Sequence, residues 1–312
     1  PSLHMQSLKD LTSFGGGLTL SRIFHFAGKN VDKLILGKVL GHQLLGIYDM
    51  AFRLMMLPAN NLGNVVDNVM FPTLSSAQSD VPAMRRAYLG VISVLSVLYF
   101  PLTVFVVIVA EELILTILGA KWQPAVLPLR LLMISSCFRI NIRMCDATVR
   151  AIGAVYQSAV RKLLFVLTVA LAAWLGGTKG GIVGACVGLG IADAVTYCVM
   201  ALLCCQLLQL SVREFFQRSL AGISLSIITG ITAFATLYAF RSVDLLPPVV
   251  LGLTTLSVTL AVGVAAWIRP ALLGNSGLLL VQKTLSMVGP NHRLVQFVRH
   301  HFSLPAKLEK AA

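Results

Sequence analysis

The chain has 312 residues, of which 57% are apolar and 12% are charged, and its mean hydropathy is +0.84. Soluble domains carry about 25% charged and about 45–50% apolar residues, so the composition excludes a soluble globular domain and predicts a protein that crosses a membrane several times. The net charge of +13 does not indicate nucleic-acid binding, because no basic run with interleaved aromatic residues occurs and cytoplasmic loops of membrane proteins are normally rich in Lys and Arg.

Eight apolar segments of roughly 20 residues follow one another along the chain, and each is long enough to span a bilayer. In chain order they cover residues 14–39, 45–74, 88–110, 127–149, 163–175 with its flanks, 182–208, 220–240 and 248–268. The connections are short and rich in residues that end helices, so no loop holds a separate domain. The sequence therefore predicts an all-α integral membrane fold with about eight transmembrane helices.

The pattern divides the chain into four parts. Residues 1–13 form a cytoplasmic lead-in, 14–210 a six-helix lobe, 211–268 an additional helix pair and 269–312 a basic cytoplasmic tail. The end of the tail has apolar and basic side chains at helical spacing, which is typical of a helix in the membrane interface; a disordered tail is the alternative. The chain starts at Pro1 without the pattern of a signal peptide, so we expect it to be the interior of a longer chain.

The distribution of Lys and Arg between the loops predicts the orientation in the membrane. With eight spans both ends lie on the same side, and that side holds 14 of the 25 basic residues while the opposite side holds four. Because positively charged loops remain in the cytoplasm, both ends are predicted to be cytoplasmic. The other seven basic residues fall within the predicted spans.

Basic residues inside a span are costly and usually face a protein cavity rather than lipid. Here most of them recur every three or four residues, so they share one face of a helix with other polar side chains. The polar stripes are Arg22, His25, Lys29 and Asp32 with the adjoining Lys33 in the first span, Asp49, Arg53, Asn60 and Asn64 in the second, and Ser136, Arg139, Arg143, Asp146 and Arg150 in the fourth. They predict an aqueous cavity with surplus positive charge, which suits an anionic ligand and phosphate in particular.

These charged residues also have explanations that need no ligand. Arg22 and Arg130 lie near span ends, from which long side chains reach the lipid headgroups. Asp32 can neutralise a neighbouring lysine of its own helix, and Asp146 a neighbouring arginine. The cations of the stripes nevertheless outnumber the nearby carboxylates, which favours an anion site.

Signals of enzymatic chemistry are absent from the sequence. The six cysteines lie in apolar stretches without a C-x-x-C pair, so we expect neither disulfides nor a metal site. No acidic cluster could hold a divalent metal at a nucleotide diphosphate, and no H-E-x-x-H, G-x-S-x-G or Walker motif occurs. We therefore expect a protein that is not an enzyme and has no cofactor.

Seven short motifs are similar to those of one transporter family. They are Gly28–Gly37 (GKNVDKLILG), Leu40–Gly41, Leu45–Tyr48 (LGIY), Tyr48–Pro58 (YDMAFRLMMLP), Val69–Ser75 (VMFPTLS), Arg85–Tyr88 (RRAY) and Leu118–Trp122 (LGAKW). In this order and spacing the chain resembles the second half of Wzx-type lipid-linked oligosaccharide flippases. These belong to the multidrug/oligosaccharidyl-lipid/polysaccharide (MOP) exporter superfamily. The resemblance covers about residues 15–210.

The resemblance implies a transporter of the bacterial inner membrane. It would flip undecaprenyl-diphosphate-linked repeat units by alternating access, for exopolysaccharide, O-antigen or capsule synthesis. Family members have two six-helix lobes around a cationic cavity, and this chain would supply the second lobe and a final helix pair. The expected partners are the missing amino-terminal lobe, the lipid-linked oligosaccharide, membrane lipids and the polysaccharide polymerase machinery, and no nucleic acid.

A diphosphate ligand gives the cationic stripes a role. The resemblance then implies substrate binding by Arg53, Arg139 and Arg143. The residues expected to line or gate the cavity are Arg22, Lys29, Asp32, Lys33, Asn60 and Asn64.

A drug or cation antiporter of the same superfamily is one alternative, and it would favour lone buried carboxylates over arginines. A membrane-embedded polysaccharide polymerase or ligase is another, although such enzymes typically have a large periplasmic loop. A subunit without transport activity is the third.

Overall fold

The structure is a computed structural model that describes residues 5–76, 80–151, 155–241 and 245–268. These residues are almost entirely helical, as the all-α prediction requires. The elements are α1 (Met5–Ser76), α2 (Val81–Ile108), α3 (Ala110–Ile117), a 3₁₀ helix (Ala120–Ala125), α4 (Val126–Ala151), α5 (Val155–Leu207), α6 (Val212–Arg241) and α7 (Pro247–Ile268). The predicted basic tail, 269–312, lies outside the described residues, as do the side chains of Arg22 and Lys29.

The longest helix, α1, consists of two antiparallel arms joined at a single glycine. Gly41 has φ 81° and ψ 172°, a conformation that residues with a Cβ atom rarely adopt. Tyr48 Oη donates a hydrogen bond to Asp32 Oδ2 at 2.6 Å across a separation of 16 residues, whereas a straight helix of that length extends about 24 Å. The arms, 5–40 and 42–76, therefore fold back on each other.

Helix α5 folds back in the same way. Its turn lies at Gly180 and Gly181, and Gly181 has φ 59° and ψ −145°. The two arms approach so closely that a Cβ atom on Gly188 would lie 2.7 Å from the carbonyl oxygen of Ala172. Such an approach of two backbones is typical of membrane helices that present small residues to each other.

Within the described residues, five helical segments are long and apolar enough to cross a membrane. They are Val81–Ile108, Ala120–Ala151, Leu163–Leu207, Arg213–Arg241 and Pro247–Ile268. These segments correspond to the predicted third to eighth spans, and the fifth and sixth lie in the two arms of α5. The predicted first and second spans form the arms of α1. This helix is not among the five segments, because the charged residues of its polar stripes make it less apolar. The all-α membrane class is confirmed, while the number of eight spans stays a prediction.

The described chain forms two compact units. The first contains the residues up to Tyr88 together with Ile114–Leu210, and the second contains Leu89–Leu113 and the described residues after 210. In the first unit α1, α4 and α5 pack against one another. The four-part division proposed from the sequence is a different partition, and it stays a prediction.

The described part of the second unit contains α2 from Leu89 onward, the start of α3, α6 and α7. Val109, Leu237 and Val250 form its buried apolar cluster. At one end Arg241, the last residue of α6, makes ion pairs with two glutamates at the start of α3. Its Nη2 atom lies 2.7 Å from Glu111 Oε2 and 2.5 Å from Glu112 Oε1.

Candidate functional site

The polar stripes of α1 and α4 come together inside the first unit. Arg143 Nη2 of α4 donates a hydrogen bond to Asn64 Oδ1 of α1 at 3.2 Å. One turn earlier on α4, the guanidinium of Arg139 lies 5.2 Å from the ring centroid of Phe52 on α1. The structure therefore brings residues of two separate sequence stripes to one site.

One carboxylate of the site is shared by two cations. Lys33 Nζ lies 2.5 Å from Asp49 Oδ1, and Arg53 Nε lies 2.7 Å from Asp49 Oδ2. A single carboxylate cannot neutralise both, so this group keeps one positive charge. The side chain of Arg53 is 71% exposed, so the packed helices cover little of it.

Arg139 is paired with a carboxylate, Asp193, that lies outside the predicted polar stripes. Arg139 Nε donates a hydrogen bond to Asp193 Oδ2 at 2.6 Å. The Asp193 side chain is fully buried, and that of Arg139 is 20% exposed. Asp193 is the only charged residue of the predicted sixth span, 182–208. A lone carboxylate in an apolar span usually has a function or a partner, and this signal could have identified it.

A second buried carboxylate lies between the two arms of α1. Asp32 is 2% exposed, and its oxygens accept hydrogen bonds from Tyr48 Oη at 2.6 Å and from the backbone N–H of Lys33 at 2.9 Å. The side chain of Lys33 binds Asp49 instead. Lys33 is therefore not the lysine that Asp32 neutralises, whereas the side chain of Lys29, the other lysine of that alternative, lies outside the described residues.

The ring of Phe52 connects these groups. Lys33 Nζ lies 5.1 Å and Arg139 Cζ 5.2 Å from its centroid, within the range of cation–π attraction. The ring of Tyr48 lies beside it at 5.8 Å. Neither aromatic residue was predicted from the sequence to belong to the site, because aromatic residues in apolar helices are usually core residues.

Arg143 lies against a glycine on the second arm of α1. A Cβ atom placed on Gly63 would come 2.7 Å from Arg143 Cζ, so a larger residue there would displace the guanidinium. Arg143 is half-buried beside Asn64, and both Asn64 and Asn60 are exposed. On the same helix Arg150 Nε makes an ion pair with Asp146 Oδ2 at 3.3 Å, in agreement with the ligand-free explanation of Asp146.

The described side chains of the site carry a surplus of one positive charge. The cations are Lys33, Arg53, Arg139 and Arg143, and the carboxylates are Asp32, Asp49 and Asp193. Both Asp32 and Asp193 lie in the buried part of the site with Arg139, whereas the group of Lys33, Arg53 and Asp49 keeps one positive charge at the exposed part.

Comparison with known proteins agrees with the motifs. Residues 1–127 match the family model described as "Polysaccharide biosynthesis protein". The predicted resemblance is confirmed. The teichuronic acid biosynthesis protein TuaB of Bacillus subtilis (strain 168) is 25% identical over 234 residues, which are 74% of this chain and 48% of TuaB. The lipopolysaccharide biosynthesis protein WzxC of Escherichia coli (strain K12) is 26% identical over 141 residues, 45% of this chain and 29% of WzxC.

The length of this chain differs from that of these relatives. It spans about half of TuaB and less of WzxC. Among solved structures, an outward-facing multidrug resistance MATE family transporter of the MOP superfamily is similar, with a TM-score of 0.50 and 14% identity. The similarity covers 90% of this chain and 71% of that one. At this identity the similarity concerns the fold alone.

Proposed function

We propose that this chain is the carboxy-terminal part of an inner-membrane flippase for undecaprenyl-diphosphate-linked oligosaccharide repeat units. The transporter would work by alternating access, with both ends of this chain in the cytoplasm. The observation that carries the proposal is the surplus positive charge at the exposed Arg53, which shares the single carboxylate of Asp49 with Lys33. The confirmed resemblance to polysaccharide biosynthesis proteins supports a lipid-linked sugar diphosphate as the anion.

The geometry supports direct contacts between a diphosphate and two arginines. Arg53 uses Nε for Asp49 and has four further N–H donors, since a guanidinium carries five. Arg143 is held by Asn64 Oδ1, which leaves the amide N–H₂ of Asn64 to donate to a phosphate oxygen. Hydrogen bonds to charged groups contribute about 1.5–3 kcal/mol each, so each arginine is expected to change ligand affinity at least about tenfold.

Arg139 is more buried than Arg53, and it differs from both other arginines that are proposed to bind the diphosphate. Its pair with the fully buried Asp193 must be kept or replaced when a ligand binds. Replacing Arg139 would leave Asp193 as an unpaired buried carboxylate, which is strongly destabilising. An Arg139 variant therefore reports on packing as well as on binding, and Arg53 and Arg143 provide the cleaner test.

The experiment is export of the polymer by a deletion strain that is complemented with the full-length gene. Arg53→Ala and Arg143→Ala should each reduce export about tenfold, and the double variant should abolish it. Arg86→Ala is the matched control, because it removes an exposed cation at the start of α2, outside the polar stripes. The amount of transporter in the membrane is measured by immunoblot. Normal export by the double variant would refute the proposed diphosphate site.

One observation favours a second candidate, a cation-coupled antiporter of the same superfamily. Asp32 and Asp193 are buried carboxylates, which is the feature expected of such a transporter. The two candidates differ in substrate, so the deletion strain distinguishes them. A flippase deletion should lose the polymer and keep its sensitivity to cationic drugs, whereas an antiporter deletion should keep the polymer and become more sensitive.

A further inference from the structure

One end of the first unit is formed by three turns of the chain. Along α4, Arg139 contacts Phe52 of α1, and Arg143, one turn later, binds Asn64 further along the same arm. The second arm of α1 and α4 therefore run in the same direction. The turn at Gly41, where that arm begins, lies at the same end of the unit as the 3₁₀ helix, which precedes α4 and packs against both helices.

The turn of α5 lies at this end as well. A Cβ atom placed on Gly177, just before the non-helical Gly180, would lie 3.3 Å from side-chain atoms of both Leu36 and Val39. These two residues come just before the turn of α1. We call this part of the first unit, which contains the turns of α1 and α5 and the 3₁₀ helix, the turn end.

Each of these three turns carries an exposed lysine. Lys38 lies beside the turn of α1, Lys121 in the 3₁₀ helix and Lys179 beside the turn of α5. The described carboxylates of the first unit have other partners, which are Tyr48 for Asp32, Lys33 and Arg53 for Asp49, a backbone N–H for Asp80, Arg150 for Asp146 and Arg139 for Asp193. Within the described part of the chain the three lysines therefore form no ion pair, and the turn end carries three uncompensated positive charges.

The predicted orientation of the chain does not account for these lysines. The four basic residues predicted on the side of the membrane opposite the cytoplasm are Lys38, Lys121, Lys179 and Arg241. Of these, Arg241 has two glutamate partners in the second unit. Basic residues that set the orientation lie on the cytoplasmic side, so the lysines of the turn end need a different explanation.

Apolar side chains are exposed next to the lysines. Leu34, one turn before Lys38, is 71% exposed, and Trp174, on the same arm as Lys179, is 53% exposed. In a chain that crosses a membrane, exposed apolar side chains are typical of helix surfaces that face lipid, and tryptophan is typical of the level of the headgroups. The lysines therefore lie where an apolar helix surface gives way to exposed turns, which is the boundary between acyl chains and headgroups.

We propose that the turn end binds the phosphate headgroups of anionic phospholipids, with Lys38, Lys121 and Lys179 as the cations. The acyl chains of these lipids lie against the neighbouring apolar surface, which includes Trp174. Each lysine ammonium has three N–H donors and a compact charge that suits a phosphate. The attraction of one basic side chain to an anionic membrane surface corresponds to about a fivefold preference, so three give about a hundredfold preference over zwitterionic lipid. The proposal does not rest on the proposed function, because it involves no transported substrate.

The test is photo-crosslinking of the purified full-length transporter in phosphatidylcholine vesicles that contain a small fraction of photoactivatable phosphatidylglycerol. At about 1 mol% of this probe, a hundredfold preference fills about half of the sites, and unselective mixing fills about one in a hundred. The first arm of α5, around Trp174, should therefore be labelled about fiftyfold more strongly by this probe than by photoactivatable phosphatidylcholine at the same concentration.

The variant Lys38→Gln/Lys121→Gln/Lys179→Gln should reduce labelling by the anionic probe to the level of the zwitterionic probe. The matched control removes three exposed cations of α2 and α6, outside the turn end, and should keep the wild-type labelling; its substitutions are Arg86→Gln, Arg213→Gln and Arg218→Gln. Should the lysine variant fail to insert, the wild type keeps the test. Raising the salt from about 0.01 M to about 1 M shortens the screening length from about 30 Å to about 3 Å and should remove most of the excess labelling.

Equal labelling of the wild type by the two probes would overturn the proposal, because the apolar surface alone would then hold the lipid. Unchanged labelling in the lysine variant or at high salt would overturn it as well, and so would an equal loss in the control variant. Unlabelled phosphatidylglycerol should displace the probe. Displacement by undecaprenyl diphosphate but not by phosphatidylglycerol would assign the turn end to the transported lipid, and displacement by inorganic phosphate would assign it to a free ion; either result overturns a phospholipid site.

Discussion

Gly63 lies on the second arm of α1, in contact with the guanidinium of Arg143. Substituting Gly63 would therefore move the positive charge of Arg143 without removing it. A Cβ atom at Gly63 would lie 2.7 Å from Arg143 Cζ, whereas ordinary van der Waals contact begins at about 3.4 Å. In Gly63→Ala the guanidinium must therefore retreat by at least about 0.7 Å. A retreat along its hydrogen bond to Asn64, which is 3.2 Å long, would lengthen that distance to about 3.9 Å or more, which is no longer a hydrogen bond.

The expected result is a loss of function without a loss of stability. Alanine favours a helix over glycine by about 0.5–1 kcal/mol, and the displaced atoms lie at the flexible end of an arginine side chain. The Arg143–Asn64 hydrogen bond lies at an exposed position, so its loss costs little, and Gly63→Ala should unfold at about the same temperature as the wild type. The displaced guanidinium should also lose its contact with the proposed diphosphate, and one charge-assisted hydrogen bond to the ligand, about 1.5–3 kcal/mol, corresponds to export that is at least about tenfold lower.

Gly46→Ala is the matched control for this substitution. Gly46 lies on the same arm of α1, and no atom comes within 4 Å of a Cβ placed there. It has the same gain in helix propensity and displaces nothing, so its export should equal that of the wild type. The assays are thermal unfolding of the purified protein and export in the complemented deletion strain. Equal export by the two alanine variants would refute the argument that the position of Arg143 matters.

Three further substitutions test the fold. Gly41→Ala places a Cβ atom at φ 81° and should lower stability by about 1–2 kcal/mol; an unchanged melting temperature would contradict the sharp turn between the arms of α1. Arg241→Gln leaves Glu112, which is 6% exposed, without its cation and should lower the melting temperature, while adding Glu112→Gln should restore most of the loss. No recovery in that double variant would contradict the ion pair. Gly188→Leu should separate the arms of α5, because even a Cβ atom there meets the carbonyl of Ala172 at 2.7 Å, and an ordinary melting temperature would argue against this close packing.

The helices were largely predictable from apolar segments and helix-ending residues. The predicted span 127–149 corresponds to α4, Val126–Ala151, and the predicted break between the fifth and sixth spans is the turn at Gly180 and Gly181. The start of α2 was predicted seven residues too late, because its first two turns contain Arg85 and Arg86 and fall outside an apolar window. The short helix α3 was not predicted, since eight residues carry too little periodicity to be recognised.

The candidate site was predictable only in part, and that part came from helical spacing rather than from hydropathy. Helical spacing shows which residues share a face, so the meeting of the α1 and α4 stripes could be expected. It does not show which residue of another helix opposes them. Arg139 and Asp193 are 54 residues apart, and Asp193 has no polar stripe of its own. Pairing across helices depends on packing, which hydropathy alone does not specify.

Whether an arginine is buried with a carboxylate or exposed determines whether it can bind an anion. Buried Arg139 is matched by Asp193, whereas Arg53 is 71% exposed and shares Asp49 with Lys33. Solvent stabilises a surplus charge at Arg53 at little cost, so that position can hold unmatched charge before a ligand arrives. Asp49→Asn raises the surplus there by one and should tighten binding of undecaprenyl diphosphate to the purified full-length protein. Asp146→Asn removes the same charge beside Arg150, outside this cluster, and is expected to leave affinity unchanged. Weaker binding by Asp49→Asn would show that this carboxylate orients Arg53, and that charge surplus is not what draws the anion.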